Sequence, residues 1–343
     1  MGRRFDWLGV SARVAVKGAS FVTANITTTS KVRGTRLKVY TSDQGFGLYP
    51  EVQLWVSPLQ TEHVIFLRNK PRADEQRVVT LENIVPPQYQ TGITTIVSFT
   101  SDGVFVQAPS PRAHRRIEFV GDSITAATNV VRPEGAPGCG DGGYQSDWSQ
   151  TYEGLLCHYF DADCSTIAVG GKCVMRECGG LQMPDYYLSQ FYADAPALTH
   201  NFSSGWAPDA VFVDLGTNDM RVIQRMGDKG AQLFVAETVA FLTNITNRYR
   251  SRDIQFFLNA GPMENTTMPL TLSAIAQAKQ KGLKATFVDM TTACVSARQH
   301  GNSDGCDGCA GHPGVEGHRG MFEAARPVMA SVMGWNDDQR FAH

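Results

Sequence analysis

Ile117-Glu118-Phe119-Val120-Gly121-Asp122-Ser123-Ile124-Thr125 reads as an apolar strand that stops at Gly-Asp-Ser. A strand buried on both faces is a short, nearly continuous apolar run, and 116–120 has that character. A helix is expected to follow, which would hold the Ser123 hydroxyl at the carboxyl end of the strand, facing a crevice. A serine so placed is a nucleophile if a base removes its proton. A turn serine that caps the following helix is the plainer reading of the same residues.

Outward from this stretch the pattern repeats. Further strands are expected at 165–169, 210–215, 254–259 and 285–290, and helices at 150–160, 231–249, 270–281 and 315–333. Strands alternating with helices imply a parallel sheet covered on both faces. The active site of such a sheet lies beyond the carboxyl ends of its strands. Upstream the texture changes. Residues 11–16, 20–26, 36–40, 52–56, 63–67, 78–81 and 94–99 are short alternating stretches, several separated by turn residues such as Lys17-Gly18 and Ser101-Asp102-Gly103. They read as an all-β sandwich. Residues 107–113 read as the linker, which divides the chain into a sandwich domain at 1–112 and an α/β domain at 113–343. The glycine-rich stretch 135–143 lacks the Lys-Ser/Thr ending of a phosphate-binding loop.

The 343 residues are 42% hydrophobic and 19% charged, with a formal net charge of −2, and the mean hydropathy is −0.20. That composition excludes a disordered chain, a coiled coil and a collagen repeat. No apolar run reaches the ~20 residues of a membrane span. The charge balance argues against nucleic acid as the main partner, because a basic surface is needed for it. All 8 cysteines lie after residue 138: Cys139, Cys157, Cys164, Cys173, Cys178, Cys294, Cys306 and Cys309. An even, clustered set suits disulfides in an oxidising compartment. Metal knuckles at Cys173/Cys178 and Cys306/Cys309, or ordinary buried thiols, are the alternatives, although the spacings do not match a paired zinc pattern. Asn25, Asn201, Asn244 and Asn265 each open an N-x-S/T triplet, which also points outside the cytosol. The first residues lack the apolar core of a signal peptide, so the expectation is a secreted chain in trimmed form or an intracellular one.

Three further segments carry candidate chemistry. Asp214-Leu215-Gly216-Thr217-Asn218-Asp219 follows an apolar strand, and the Asn218 amide is a candidate donor to a developing oxyanion. Val169-Gly170-Gly171-Lys172 follows the second strand, where a glycine lets a backbone N–H approach a substrate oxygen. Gly311-His312-Pro313-Gly314 precedes the last helix, from which His312 can reach back to Ser123 as general base. His318 is read as a helix or cap residue. Taken singly, each segment also reads as an ordinary turn.

Ser, Gly, Asn and His in this order, at the ends of successive strands and before the last helix, resemble the SGNH (GDSL-like) hydrolase superfamily over about residues 115–333. A β-sandwich leading into 116–125, Gly170-Gly-Lys-Cys-Val-Met-Arg176 and His312-Pro313 is similar to carbohydrate esterase family 2 over nearly the whole chain. The resemblance implies a flavodoxin-like SGNH domain preceded by a jelly-roll-like sandwich. It implies Ser123 as nucleophile, His312 as base, and Gly171 and Asn218 as oxyanion donors beside the Ser123 N–H. It further implies a monomeric esterase that removes O-acetyl groups from oligo- or polysaccharides such as xylan or glucomannan, with no cofactor and no metal. This chain departs from the family at two points. The carboxylate expected two or three residues before the histidine is replaced by Ala310 and Cys309, leaving Asp307, Asp304 or a main-chain carbonyl to orient His312. Gly170 stands where the family often has serine. A lipase or other SGNH esterase, and a non-catalytic glycan-binding protein, are the rival functions. Trp148 and Trp206 are candidate sugar-stacking residues, with core packing as the alternative.

Overall fold

Alternation of buried and more exposed residues marks two strands of the first unit. On β3 (Phe21–Thr28), Val22, Ala24 and Ile26 point inward, and on β6 (Glu62–Phe66) Ile65 does. Such period-two patterning suits a sheet with one face on a core. The computed structural model describes residues 3–31, 34–42, 52–67, 74–89, 92–108, 115–131, 142–250, 253–294, 306 and 308–335. Residues 109–113 of the expected linker, most of the glycine-rich stretch, Cys139, Asp304 and Asp307 lie outside the described residues. The chain divides into two units, Met1–Ala113 and His114–His343.

In the first unit one sheet runs β1 (Arg3–Phe5), β8 (Thr94–Ser101), β3, β6. The other runs β5 (Val52–Trp55), β4 (Arg36–Ser42), β7 (Gln76–Asn83), β2 (Ser11–Lys17), β9 (Val104–Val106). All described pairings are antiparallel. Orders 1-8-3-6 and 5-4-7-2 are the jelly-roll arrangement, with β9 added beside β2. Val16, Leu37, Val39, Val79 and Leu81 from one sheet meet Val22, Ala24, Ile26, Ile65 and Ile96 from the other in one core. The sandwich expected from the sequence is therefore present, with β1 and β9 in addition.

The second unit holds β10 (Arg116–Gly121), β11 (Asp163–Ala168), β12 (Ala210–Asp214), β13 (Gln255–Ala260) and β14 (Lys284–Asp289). Their order is β11-β10-β12-β13-β14, all parallel. This is the flavodoxin-like order, whose topological switch lies at the first strand, here β10. Phe119, Phe212 and Phe257 stack across the three central strands at 6.1 and 6.2 Å between ring centroids. Among the described residues the helices are α1 (Gly142–Gln145), α2 (Tyr152–Phe160), α3 (Met183–Tyr186), α4 (Met220–Met226), α5 (Asp228–Tyr249), α6 (Met268–Gln280) and α7 (Val315–Met333). Among the described residues, no helix is long and apolar enough to cross a membrane.

The helix expected after Ser123 is absent. Residues 123–129 form consecutive turns, with Ala126 N–H bonding Asp122 O and Thr128 N–H bonding Ser123 O. Ala127 and Asn129 adopt φ of 52° and 62°, a left-handed conformation that breaks any right-handed helix. Disulfides join Cys157 to Cys164, Cys173 to Cys178 and Cys294 to Cys306, and Cys309 is disulfide-bonded as well.

Candidate active site

The end of β10 is shaped by Gly121. A Cβ there would collide with the Thr125 side chain and come within 2.9 Å of the Asp214 carbonyl oxygen, so only glycine lets the chain turn back so tightly. Asp122 secures the turn: its N–H donates to Asp214 O at 3.3 Å and its Oδ1 accepts the Ile124 N–H at 3.0 Å. Ser123 lies at the apex, with 9% of its surface exposed.

His312 reaches this serine from the loop before α7. Its Nε2 lies 2.9 Å from Ser123 Oγ, across a sequence separation of 189. Its Nδ1 lies 3.2 Å from the carbonyl oxygen of Ala310. A carbonyl only accepts, so Nδ1 carries the proton and Nε2 presents its lone pair to the serine hydroxyl. Ala310 adopts φ 54° and ψ 39°, a turn that brings its carbonyl back toward the ring two residues on. Among the described residues no carboxylate bonds His312. Burial holds its pKa below the usual histidine value, partly offset by hydrogen bonds to the Ala310 and Cys309 backbone. The loop is tied down by the Cys309 N–H, which donates to Asn129 O at 3.2 Å.

Gly171 and Asn218 flank the serine from β11 and β12, the strands on either side of β10. Gly171 has φ +75° with open space where a Cβ would stand. Neither its N–H nor that of Ser123 is bonded to a described residue. Asn218 is already engaged: Nδ2 donates to Asp122 Oδ2 at 2.9 Å and to Lys172 O at 3.2 Å. Asp219, absent from the set of residues singled out by sequence, accepts the Met175 N–H at 2.9 Å on Oδ1 and the Val174 N–H at 3.3 Å on Oδ2. Burial raises its carboxyl to about 6 against the pull of those two N–H groups. Its only sequence signal is that it follows Asn218 at a strand end.

Below the serine, Asp214 accepts from Asn259 Nδ2 at 2.8 Å and from Thr125 Oγ1 at 3.3 Å. Burial brings Asp214 to about 6, and burial together with the Asp214 charge pushes Asp122 well above the usual carboxylate range. His318 lies buried on α7, its ring stacked on Tyr152 and its Nδ1 accepting the Tyr152 N–H at 3.3 Å. The sugar-stacking role for the tryptophans fails on position. Trp148 is buried, its Nε1 donating to Thr166 Oγ1 at 3.1 Å. Trp206 donates to Asp163 Oδ2 at 2.8 Å, at the amino end of β11 and roughly 20 Å along the strand, at ~3.3 Å per residue, from the Gly171 end. The disulfide expectation holds at both candidate metal knuckles, since Cys306 and Cys309 are each disulfide-bonded. The sulfurs of Cys173 and Cys178 lie near the Asp219 carboxylate, but they are bonded to each other and offer no thiolate.

Residues 119–319, more than half of the chain, match the sequence profile of the GDSL-like Lipase/Acylhydrolase family. The chain is 31% identical over 147 residues to an acetylxylan esterase/glucomannan deacetylase of Cellvibrio japonicus, a match spanning 41% of this chain and 39% of that protein. A crystal structure of a carbohydrate esterase family 2 enzyme plus carbohydrate binding domain from Myceliophthora fergusii superposes with a TM-score of 0.75, at 25% identity over 97% of both chains. A family two carbohydrate esterase from Clostridium thermocellum in complex with cellohexaose superposes with a TM-score of 0.77, at 19% identity over 98% of this chain and 96% of that one.

Proposed function

Because the chain belongs to the GDSL-like lipase/acylhydrolase family, we propose that it is a serine esterase that removes O-acetyl groups from carbohydrates, with Ser123 as nucleophile and His312 as base. The observation that carries the reading is the 2.9 Å approach of His312 Nε2 to Ser123 Oγ, with Nδ1 held by Ala310 O. In this mechanism His312 Nε2 takes the hydroxyl proton as Oγ attacks the acetyl carbonyl. The tetrahedral oxyanion is met by the N–H groups of Ser123 and Gly171 and by the Asn218 amide, which turns one hydrogen away from Lys172 O. His312 then gives its proton to the leaving sugar oxygen, and water releases acetate by the same path reversed. Each lost oxyanion donor of this kind typically raises the barrier by about 2.7–4 kcal/mol.

The acetylated polysaccharide is proposed from the similarity to the Cellvibrio japonicus protein and the Myceliophthora fergusii enzyme. An extracellular location is proposed from the disulfides and from the exposure of Asn201, Asn244 and Asn265. The test is Ser123→Ala assayed for acetate release from acetylated xylan and glucomannan. The expected loss is at least roughly 1,000-fold, as for serine hydrolases stripped of their nucleophile. Activity near wild type would reject the reading, and acetate release from neither polymer by the wild type would reject the substrate.

A further inference from the structure

Gly171 and Asn218 do not come from neighbouring strands. β10 lies between β11 and β12, so the loops carrying the two residues must span about 9–10 Å, two strand spacings, above the serine. Oxyanion donors act only when they sit about 2.7–3.1 Å from the developing charge. Something must therefore fix one loop against the other. The Asn218–Lys172 bond is given up when the amide turns to the oxyanion, so the direct link that persists is the Asp219 carboxylate, which accepts the N–H groups of both Val174 and Met175.

We infer that Asp219 is a positioning residue, whose carboxylate clamps the Gly171 loop to the Asn218 loop and so sets the spacing of the oxyanion donors. The inference rests on the esterase reading above. Asp219 is anchored on its own side, because its carbonyl accepts the Val222 and Ile223 N–H groups at 2.9 and 3.0 Å at the start of α4. On the far side Val174 and Met175 are buried, so their N–H groups have no solvent to turn to if the carboxylate is lost. Charge-assisted bonds to two consecutive N–H groups hold a segment more stiffly than neutral ones. The clamped segment is pinned from its other side by Gln182, whose Oε1 accepts the Cys173 N–H at 2.8 Å, and is closed by the Cys173–Cys178 disulfide. Gly171 sits three residues before the clamp. A shift of Val174 is passed along the three intervening residues to the Gly171 N–H. In Asp219→Asn one N–H would keep an acceptor and the other would face an NH2 group.

The full chain, Asp219→Asn and Ser123→Ala are compared on p-nitrophenyl acetate, with methaneboronic acid as a tetrahedral probe and thermal melts to establish folding. Asp219→Asn is expected to lower kcat roughly 10–100-fold with KM within about threefold, and to weaken boronate inhibition by the factor lost from kcat/KM, since the donors bind the transition state alone. A folded Asp219→Asn protein with wild-type kcat overturns the inference, whether or not its melting temperature falls. So does a lowered kcat with unchanged boronate inhibition. Should Asp219→Asn fail to fold, Asp219→Ser, which keeps one acceptor, is measured against the same criteria. Full activity in Ser123→Ala would overturn the esterase reading itself, whereas a dead Ser123→Ala beside an unimpaired Asp219→Asn overturns only the clamp.

Discussion

His312 has its Nδ1 proton on a backbone carbonyl, and this has a consequence for pH. A carbonyl fixes the tautomer without the full negative charge that would stabilise an imidazolium, and burial disfavours the charged ring further. As the proposed base, His312 would be active only when neutral. The acid limb of kcat/KM is therefore expected at a midpoint below 6.5, the ordinary histidine value, because burial lets the neutral form persist to lower pH. A midpoint above 6.5 would mean that an anion stabilises the ring. The serine, glycine, asparagine and histidine of the proposed site stand out in the sequence, since each follows an apolar run or precedes a helix. The Ala310 carbonyl is not, because every residue has one and only the left-handed turn at Ala310 brings it to the ring. Asp219 is hidden for a related reason: its partners are backbone N–H groups, which leave no mark on residue identity.

β10 carries an ionisable residue in its buried middle. Glu118 accepts hydrogen bonds from Tyr187 at 2.6 Å and from Tyr249 at 2.8 Å, and burial nonetheless raises its pKa from 4.5 to about 7. The folded chain thus keeps this proton up to about pH 7, while the unfolded chain releases it near 4.5. Between those values folding binds the extra proton, so stability falls as pH rises through the window and the loss is complete above pH 7. At 1.36 kcal/mol per unit the effect is at most about 3 kcal/mol. Urea unfolding at pH 5 and pH 8 should show Glu118→Gln losing less stability across the interval than wild type. Parallel behaviour of the two proteins would contradict the assignment. Most elements are legible because parallel strands under helices are apolar throughout and sandwich strands alternate. Those missed are short or interrupted: three-residue β1 and β9, four-residue α1 and α3, the seven-residue α4, and the turns after Ser123, where Ala127 and Asn129 override the helical texture of the local sequence.

Over the whole chain, a jelly-roll sandwich precedes a five-stranded parallel sheet, as the change of texture near residue 112 leads one to expect. The sheet order, unlike the strands, is a long-range property. It follows from how helices cover both faces, and it is what seats three strand-end loops around one serine. The disulfides were legible as a set but not as pairs, since pairing depends on which loops meet. In the proposed reaction a serine and a histidine 189 positions apart transfer an acetyl group through a covalent intermediate. The most direct measurement is mass spectrometry of enzyme quenched in acid during turnover of saturating p-nitrophenyl acetate, whose good leaving group makes acylation fast relative to deacylation. An acetyl group on the peptide containing Ser123, missing in Ser123→Ala and diminished in His312→Ala, is the predicted result. Turnover with Ser123 unmodified, and with activity surviving in Ser123→Ala, would contradict the account.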